Sequence, residues 1–215
     1  MRHLYVDYFK CRDSNRQEEY DYCLIKNVQL GYFDRIFLVS SVSKSELPIQ
    51  NNNIEIIMPM ANRTSFQFMF NLSNYSKDDI NYIANSDIFF DESIQKIDNV
   101  MTHEVALGIS RTYLPEDSYL EKGFHINGKA APGSNDVWVW KGRCKVENAH
   151  FNIGYYSCDC RIMQCFVEAG YRVYNPAASI TIWHKHKQRK AGNPPNVPGP
   201  YWNSPEKHHT IEEVK

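Results

Sequence analysis

HLYVDYFKCRDSNRQEEYDYCLIKNVQLGYFDRIFLVSS, His3–Ser41, is the stretch that decides the fold. It opens on a short run of apolar, aromatic and β-branched residues, the composition of a strand. Ser14 followed three residues later by Gln17 is a capping box, and Tyr20, Cys23, Leu24 and Val28 then fall on one helical face. Gly31 stands where a left-handed C-terminal cap belongs, so the first helix runs to about Leu30. RIFLVSS, Arg35–Ser41, is apolar without alternation, as a strand covered on both faces is. Strand, helix and buried strand in succession is the order from which a parallel, helix-covered sheet is built.

The same order continues outward. IEIIM from Ile54 reads as a third strand, expected like the second to be central. Phe66, Met69, Phe70 and Ser73 mark the next helix face, and INYIANSDIFF, Ile80–Phe90, reads as a fourth strand running into an acidic turn. Met101, Val105, Leu107 and Ile109 alternate with Thr102, Glu104, Gly108 and Ser110, which predicts a strand ending near Arg111. From Thr112 to Gly133 periodicity is weak and turn residues are frequent, so this is a surface insertion before the strand DVWVW, Asp136–Trp140. A late helix spans Asp159–Ala169, with Ile162, Cys165 and Phe166 inward and Gly170 closing it. YRVYN and SITIWH then complete the sheet near His184. The expected fold is α/β: one domain over residues 1–186, an open, mostly parallel central sheet sandwiched between helices. Residues 187–215, basic and then proline-rich, form an irregular segment packed on that domain or trailing from it.

Composition narrows the function. The 215 residues, 42% hydrophobic and 23% charged, suit one core, and a formal charge of -1 gives no global attraction to nucleic acid. No apolar run approaches the roughly 18 residues of a membrane span, and no signal-peptide pattern opens the chain, which reads as cytoplasmic. The acidic and basic end Glu212-Glu213-Val214-Lys215 also suits a domain belonging to a longer chain with further domains. Six cysteines in a chain of this length read as reduced; Cys158-Asp-Cys160 lacks a second pair at zinc spacing and is read as small buried hydrophobes.

In an open α/β sheet the ligand lies beyond the carboxyl ends of the strands. Polar residues gather there: Asp7-Tyr8, Asn85-Ser86-Asp87, Ser134-Asn135-Asp136, Cys158-Asp159 and His184-Lys185-His186. YIANSDIFFD resembles the DxD element of GT-A glycosyltransferases, with Asn85 in place of the first Asp and Asp87 as the second. FNIGYYSCDCRIMQCFVEAGYRVYNPAASITIWHKH is similar to the distal half of that superfamily, where a glycine-then-acidic turn opens a helix and a histidine closes the core. Together with GSNDVWVW these segments resemble glycosyltransferase domains of large algal DNA viruses and of bacteria, in scattered patches over residues 3–186.

The resemblance implies a transferase that takes a sugar from a nucleotide diphosphate-sugar, with UDP the expected nucleotide and a glycan or other hydroxyl as acceptor. In a virus its location would be the host cytoplasm. It implies Mn²⁺ or Mg²⁺ at Asp87, joined by one of His184 and His186 with the other in support, since a diphosphate leaving group needs its charge neutralised. Asp7, Tyr8, Arg63, Asn85, Ser86 and Arg111 are the expected nucleotide-sugar contacts, with the Tyr8 ring stacked on the base and Arg63 or Arg111 paired with the diphosphate. Asp159 and Asp136 are the expected catalytic carboxylates. These acids have plainer alternatives: Asp159 as a helix cap, Asp136 as a loop acid, Asp87 as a turn residue and Asp91 as a helix cap. Two other functions compete. An Asp nucleophile phosphatase centred on Asp7 lacks its second acid, because Tyr8, Phe9 and Lys10 follow; a binding module without turnover would use the same aromatic-rich cleft.

Overall fold

The computed structural model describes residues 1–59, 63–74, 77–114, 134–186, 195–201 and 209–214. The chain runs β1 (Arg2–Asp7), α1 (Ser14–Leu30), β2 (Arg35–Val39), β3 (Ile54–Ile57), α2 (Phe66–Ser73), β4 (Ile80–Ala84) and β5 (Ile88–Phe90). It continues through β6 (Val105–Ile109), β7 (Thr112–Tyr113), β8 (Val137–Lys141), α3 (Cys158–Glu168), β9 (Arg172–Tyr174) and β10 (Ile182–His184). Seven strands form the main sheet in the order β3-β2-β1-β4-β8-β6-β9, and β5, β10 and β7 form a small second sheet. Only β8 runs against its neighbours in the main sheet, pairing antiparallel with both β4 and β6.

Helices cover both faces. On one face Tyr20, Leu24 and Val28 of α1 meet Leu4, Val6, Ile36 and Leu38 of the sheet. On the other, Phe66, Met69 and Phe70 of α2 and Ile162, Met163 and Phe166 of α3 meet Tyr5, Ile83, Trp138 and Trp140. Phe66, Met69 and Phe70 are fully buried, each contributing about 1.5–3 kcal/mol of transfer free energy. Gly108 in β6 is what lets α3 come so close: a Cβ there would lie 2.4 Å from the Met163 sulfur. Ile211 and Val214, at the far end of the chain, are buried in the core on the α1 side.

Several expectations are met residue by residue. The α1 helix ends at Leu30 with Gly31 at φ 65°, its N–H bonded to the Val28 carbonyl. The inward face of α2 is Phe66, Met69, Phe70 and Ser73. Others are corrected. The cap of α1 is Asp13, whose side chain accepts the Asn15 N–H, while Gln17 Oε1 accepts from the Cys11 backbone N–H at 2.8 Å. β3 is the edge strand of the sheet rather than a central one, and its Ile56 and Ile57 are only half-buried. The run 80–90 is not one strand: Asn85-Ser86-Asp87 breaks it, β4 staying in the main sheet and β5 leaving for the small one. β10 also belongs to the small sheet, antiparallel to β5, so His184 lies opposite Ile88. The insertion predicted from Thr112 begins as the short strand β7; residues 115–133 lie outside the described residues.

Candidate functional site

The main sheet changes direction of assembly between β1 and β4. From β1 the chain adds β2 and β3 on one side, then crosses to lay β4 on the other. Such a switch point leaves a crevice at the carboxyl ends of the two strands, because the connections leave in opposite directions. A cleft of about 220 Å³ opens there. Asp7 stands at the end of β1, Asn85-Ser86-Asp87 follow β4, Arg111 follows β6 and Asp136 precedes the antiparallel β8, so four strand ends meet in one cleft. Phe9, Arg16, Tyr20, Arg63, Ile153, Gly154 and His184 complete it.

Hydrogen bonds hold the turn after β4 in place. Ser86 Oγ donates to the Asp7 carbonyl at 2.6 Å, the Asn85 N–H donates to the Asp136 carbonyl at 3.1 Å, and Asn85 Nδ2 donates to Asp136 Oδ1 at 2.8 Å. The break that separates β4 from β5 is thus bonded to β1 and to the start of β8, which aims Asp87 away from the sheet and towards β10. Asp87 accepts from His184 Nε2 at 3.0 Å and from Arg16. Burial pushes its carboxyl up, but the His184 and Arg16 charges outweigh that and hold it well below the ordinary carboxylate range.

Arg16 is the residue that sequence reasoning missed. Its guanidinium also donates to Glu19 Oε2 and to His186 Nδ1, both at 2.5 Å, its Nε donates to the Tyr20 hydroxyl at 3.1 Å, and it lies 4.8 Å from the centre of the Tyr20 ring. Arg16, Glu19 and Tyr20 sit at helical spacing on the first turns of α1, the pattern of one shared face. That spacing was visible, but nothing local shows that the face looks into the cleft.

On the β8 side of the cleft Asp136, 4% exposed, is gripped by Arg111 Nη1 at 3.1 and 3.3 Å. Asp159 lies beside it, in the first turn of α3, where its Oδ1 accepts the Cys160 N–H at 2.9 Å. Burial, with the Asp136 charge adding to it, raises the Asp159 carboxyl above its usual range. The α3 N-cap is Ser157, in the left-handed region at φ 62°, so Asp159 is not the capping residue. Asp7 is 7% exposed: Oδ1 accepts from Thr64 Oγ1 at 2.7 Å, and Oδ2 is buried with no hydrogen-bond partner among the described residues. Burial raises the Asp7 carboxyl, eased in part by Thr64 and the Arg63 charge.

Of the residues singled out from sequence, the structure brings Asp7, Arg63, Asn85, Ser86, Asp87, Arg111, Asp136 and His184 into the cleft wall, with Asp159 and His186 adjoining it. It removes Tyr8. That ring is 2% exposed and faces the core, its hydroxyl donating to Asp21 and accepting from Gln17 Nε2 at 3.1 Å. The aromatic side chain of this loop that does reach the cleft is Phe9, with the Arg63 guanidinium 4.4 Å from its ring centre. Asp91 takes the structural role: it caps the following 3-10 helix through the Ser93 N–H and accepts from Trp183 Nε1 at 3.0 Å. All six cysteines are free thiols.

Among the described residues one group of side chains has the donor atoms for a cation: Asp87, His184 and His186 each offer a ligand atom, all within 4.8 Å of one another. No described helix is long and apolar enough to cross a membrane.

No protein-family model matches the chain, and no curated protein matches it. Solved structures do. A Bacillus anthracis protein, provisionally assigned as a glucose-1-phosphate thymidylyltransferase and crystallised with sucrose, aligns at 8% identity and a TM-score of 0.49, over 85% of this chain and 89% of its own. HddC from Yersinia pseudotuberculosis aligns at 11% identity and a TM-score of 0.43, over 66% of this chain and 77% of its own. The 4-diphosphocytidyl-2C-methyl-D-erythritol synthase of Anaerococcus prevotii aligns at 10% identity and a TM-score of 0.46, over 88% of this chain and 91% of its own. None of the three is described as a glycosyltransferase or is viral, and at these identities the likenesses assign no activity.

Proposed function

We propose that the protein is a glycosyltransferase that moves a sugar from a nucleoside diphosphate-sugar, UDP the first candidate, to a hydroxyl acceptor. One observation carries this reading: the cleft at the β1/β4 switch point combines three arginines, Arg16, Arg63 and Arg111, with the buried carboxylates Asp87 and Asp136, beside Asp159. Arginines suit a diphosphate, which takes paired N–H donors. Buried carboxylates suit the other half of the donor, where sugar hydroxyls are held and a proton is removed.

The residues divide the work accordingly. Arg63, exposed at the rim, and Phe9 beneath it face the nucleotide; Asn85 and Ser86 fix the turn that presents Asp87. Asp136, locked by Arg111 and Asn85, hydrogen-bonds the sugar. Transfer breaks the bond between the anomeric carbon and the diphosphate oxygen and joins that carbon to the acceptor oxygen. In the inverting case Asp159 takes the acceptor proton, for which a raised carboxyl basicity is suited; in the retaining case it holds the sugar. The mixed oxygen and imidazole donors of Asp87, His184 and His186 fit Mn²⁺ better than Mg²⁺, which prefers oxygen alone. When bound, a divalent ion supplies charge neutralisation of the departing diphosphate.

The test is a thermal-shift and turnover screen, with Mn²⁺, of nucleotide-sugars and of nucleoside triphosphates paired with sugar phosphates, following both released nucleoside diphosphate and released pyrophosphate. A ligand specific to the native state raises the melting temperature by mass action. Diphosphate release with a UDP-sugar is expected. Binding without turnover would leave a sugar-nucleotide binding module, and pyrophosphate release from a nucleoside triphosphate and a sugar phosphate would replace glycosyl transfer by nucleotidyl transfer.

A further inference from the structure

Arg16 occupies the space between the groups best suited to hold a cation. Its two terminal nitrogens reach Asp87 Oδ2, Glu19 Oε2 and His186 Nδ1. A guanidinium has only donors and does not lose its proton, so His186 Nδ1 must here be the acceptor, its lone pair directed at Arg16. The Asp87 oxygen and the His186 lone pair that would bind a metal are therefore both spent on Arg16. A dication and a guanidinium cannot share them, since both are positive and both need the same electron pairs.

A second observation concerns the imidazole beside this ion pair. His184 is 6% exposed, its Nε2 bonds Asp87 Oδ2, and its Nδ1 is buried without a hydrogen-bond partner among the described residues. A buried polar atom without a partner is unusual, and it belongs to a ring of the ligand set formed by Asp87, His184 and His186.

We infer that Arg16 is an internal plug of the cation site, and that a diphosphate opens it. The guanidinium already lines the cleft that Arg63 and Arg111 also line, and phosphate oxygens offer it two parallel bonds in place of those to Asp87 and His186. Its departure towards the diphosphate exposes Asp87 and His186 at the moment the diphosphate brings negative charge. The cation then loads after the nucleotide rather than before it. The role of the diphosphate rests on the functional reading above; the plug itself does not.

The experiment is titration of Mn²⁺ alone, followed by electron paramagnetic resonance, into the wild-type protein, Arg16→Gln and Arg16→Gln/Asp87→Asn, then repeated with saturating UDP. Arg16→Gln is expected to bind nucleotide-free Mn²⁺ at least about tenfold more tightly than wild type, and the double variant to lose that gain. UDP is expected to raise wild-type Mn²⁺ affinity by a larger factor than it does for Arg16→Gln. Wild-type protein that binds Mn²⁺ alone as tightly as Arg16→Gln overturns the plug. If UDP changes nothing in any variant while Arg16→Gln still gains Mn²⁺ affinity, the plug stands and the nucleotide reading fails. Should Arg16→Gln not fold, Arg16→Lys, a cation too compact to donate to Asp87 and His186 together, is expected to show a smaller gain, and none would overturn the inference.

Discussion

The two sides of the cleft hold their carboxylates in opposite ways. At Asp87 the cationic and imidazole groups outnumber the acids they touch: Arg16, His184 and His186 face Asp87 and Glu19, and Asp87 stays ionised far below the usual range. At Asp136 the acids are in excess: Arg111 serves Asp136, while Asp159 beside it is raised by burial and by its neighbour's charge. One side is organised to keep a negative charge fixed and pair it with a cation, the other to leave a carboxylate basic enough to accept a proton. A site of the proposed kind, which moves a group off a diphosphate, needs both, and here each carboxylate has its own partners.

Breaking the first side should have the largest effect. Asp87→Ala leaves the part-buried guanidinium of Arg16 with Glu19 as its carboxylate partner, and it also removes the bond to His184 Nε2. Loss of about 2–3 kcal/mol is expected, the low end for a broken buried ion pair because Glu19 remains. Guanidinium denaturation measures it, and Mn²⁺-dependent nucleotide binding should vanish together with it. A variant as stable as wild type would show that the Arg16 cluster holds nothing in place.

Asp159→Asn sharpens the contrast from the other side. Turnover is expected to fall about 10²-fold or more, the scale of a lost general base or transition-state contact. Stability should move in the opposite direction to that of Asp87→Ala. A carboxyl whose folded-state pKa is raised binds its proton more readily folded than unfolded, so the protein loses stability as pH rises from the ordinary value of 3.8 through the folded one. Asparagine removes that loss. Asp87 has the reverse sign: its stabilisation is present above 3.8 and disappears only as pH falls towards its depressed folded value. Denaturation from pH 3 to pH 7 should therefore show the Asp159→Asn advantage growing with pH. An advantage that does not change with pH would mean that Asp159 titrates normally.

How much of this was legible depended on whether the signal was local. The α1 helix, its Gly31 cap and the inward face of α2 were readable because spacing and capping are properties of a few neighbouring residues. The position of β3 was not: an apolar run says that a strand is covered, and Ile54–Ile57 gives no hint that its far side lacks a partner strand. The break at Asn85-Ser86-Asp87 was masked by apolar residues on both sides, although three turn-forming residues in succession are a break signal. Most of the cleft wall could be chosen because strand ends are where α/β sheets bind ligands. Arg16 could not, because its role exists only where α1 meets β10 across 170 residues of sequence.

The smallest expected effect separates two adjacent rings. After β1, alternation of direction sends Tyr8 into the core and Phe9 to the cleft, and the Tyr8 hydroxyl is tied down by Asp21 and Gln17. Of these two rings only Phe9 lines the cleft; it packs edge-on against Tyr20 at 5.3 Å and carries the Arg63 guanidinium above it. Loss of one stacking partner is worth about 1–3 kcal/mol where a base lies flat on an aromatic ring, and the low end fits a ring already shared with Arg63. Phe9→Ala is therefore expected to weaken nucleotide affinity by about five- to tenfold with the fold intact. Tyr8→Phe keeps the ring and removes only a buried hydroxyl, at about 1 kcal/mol of stability, and affinity should stay within about twofold. Isothermal titration of UDP into both variants decides between them. The reverse ranking would return the base to Tyr8 and require this loop to turn over when the nucleotide binds.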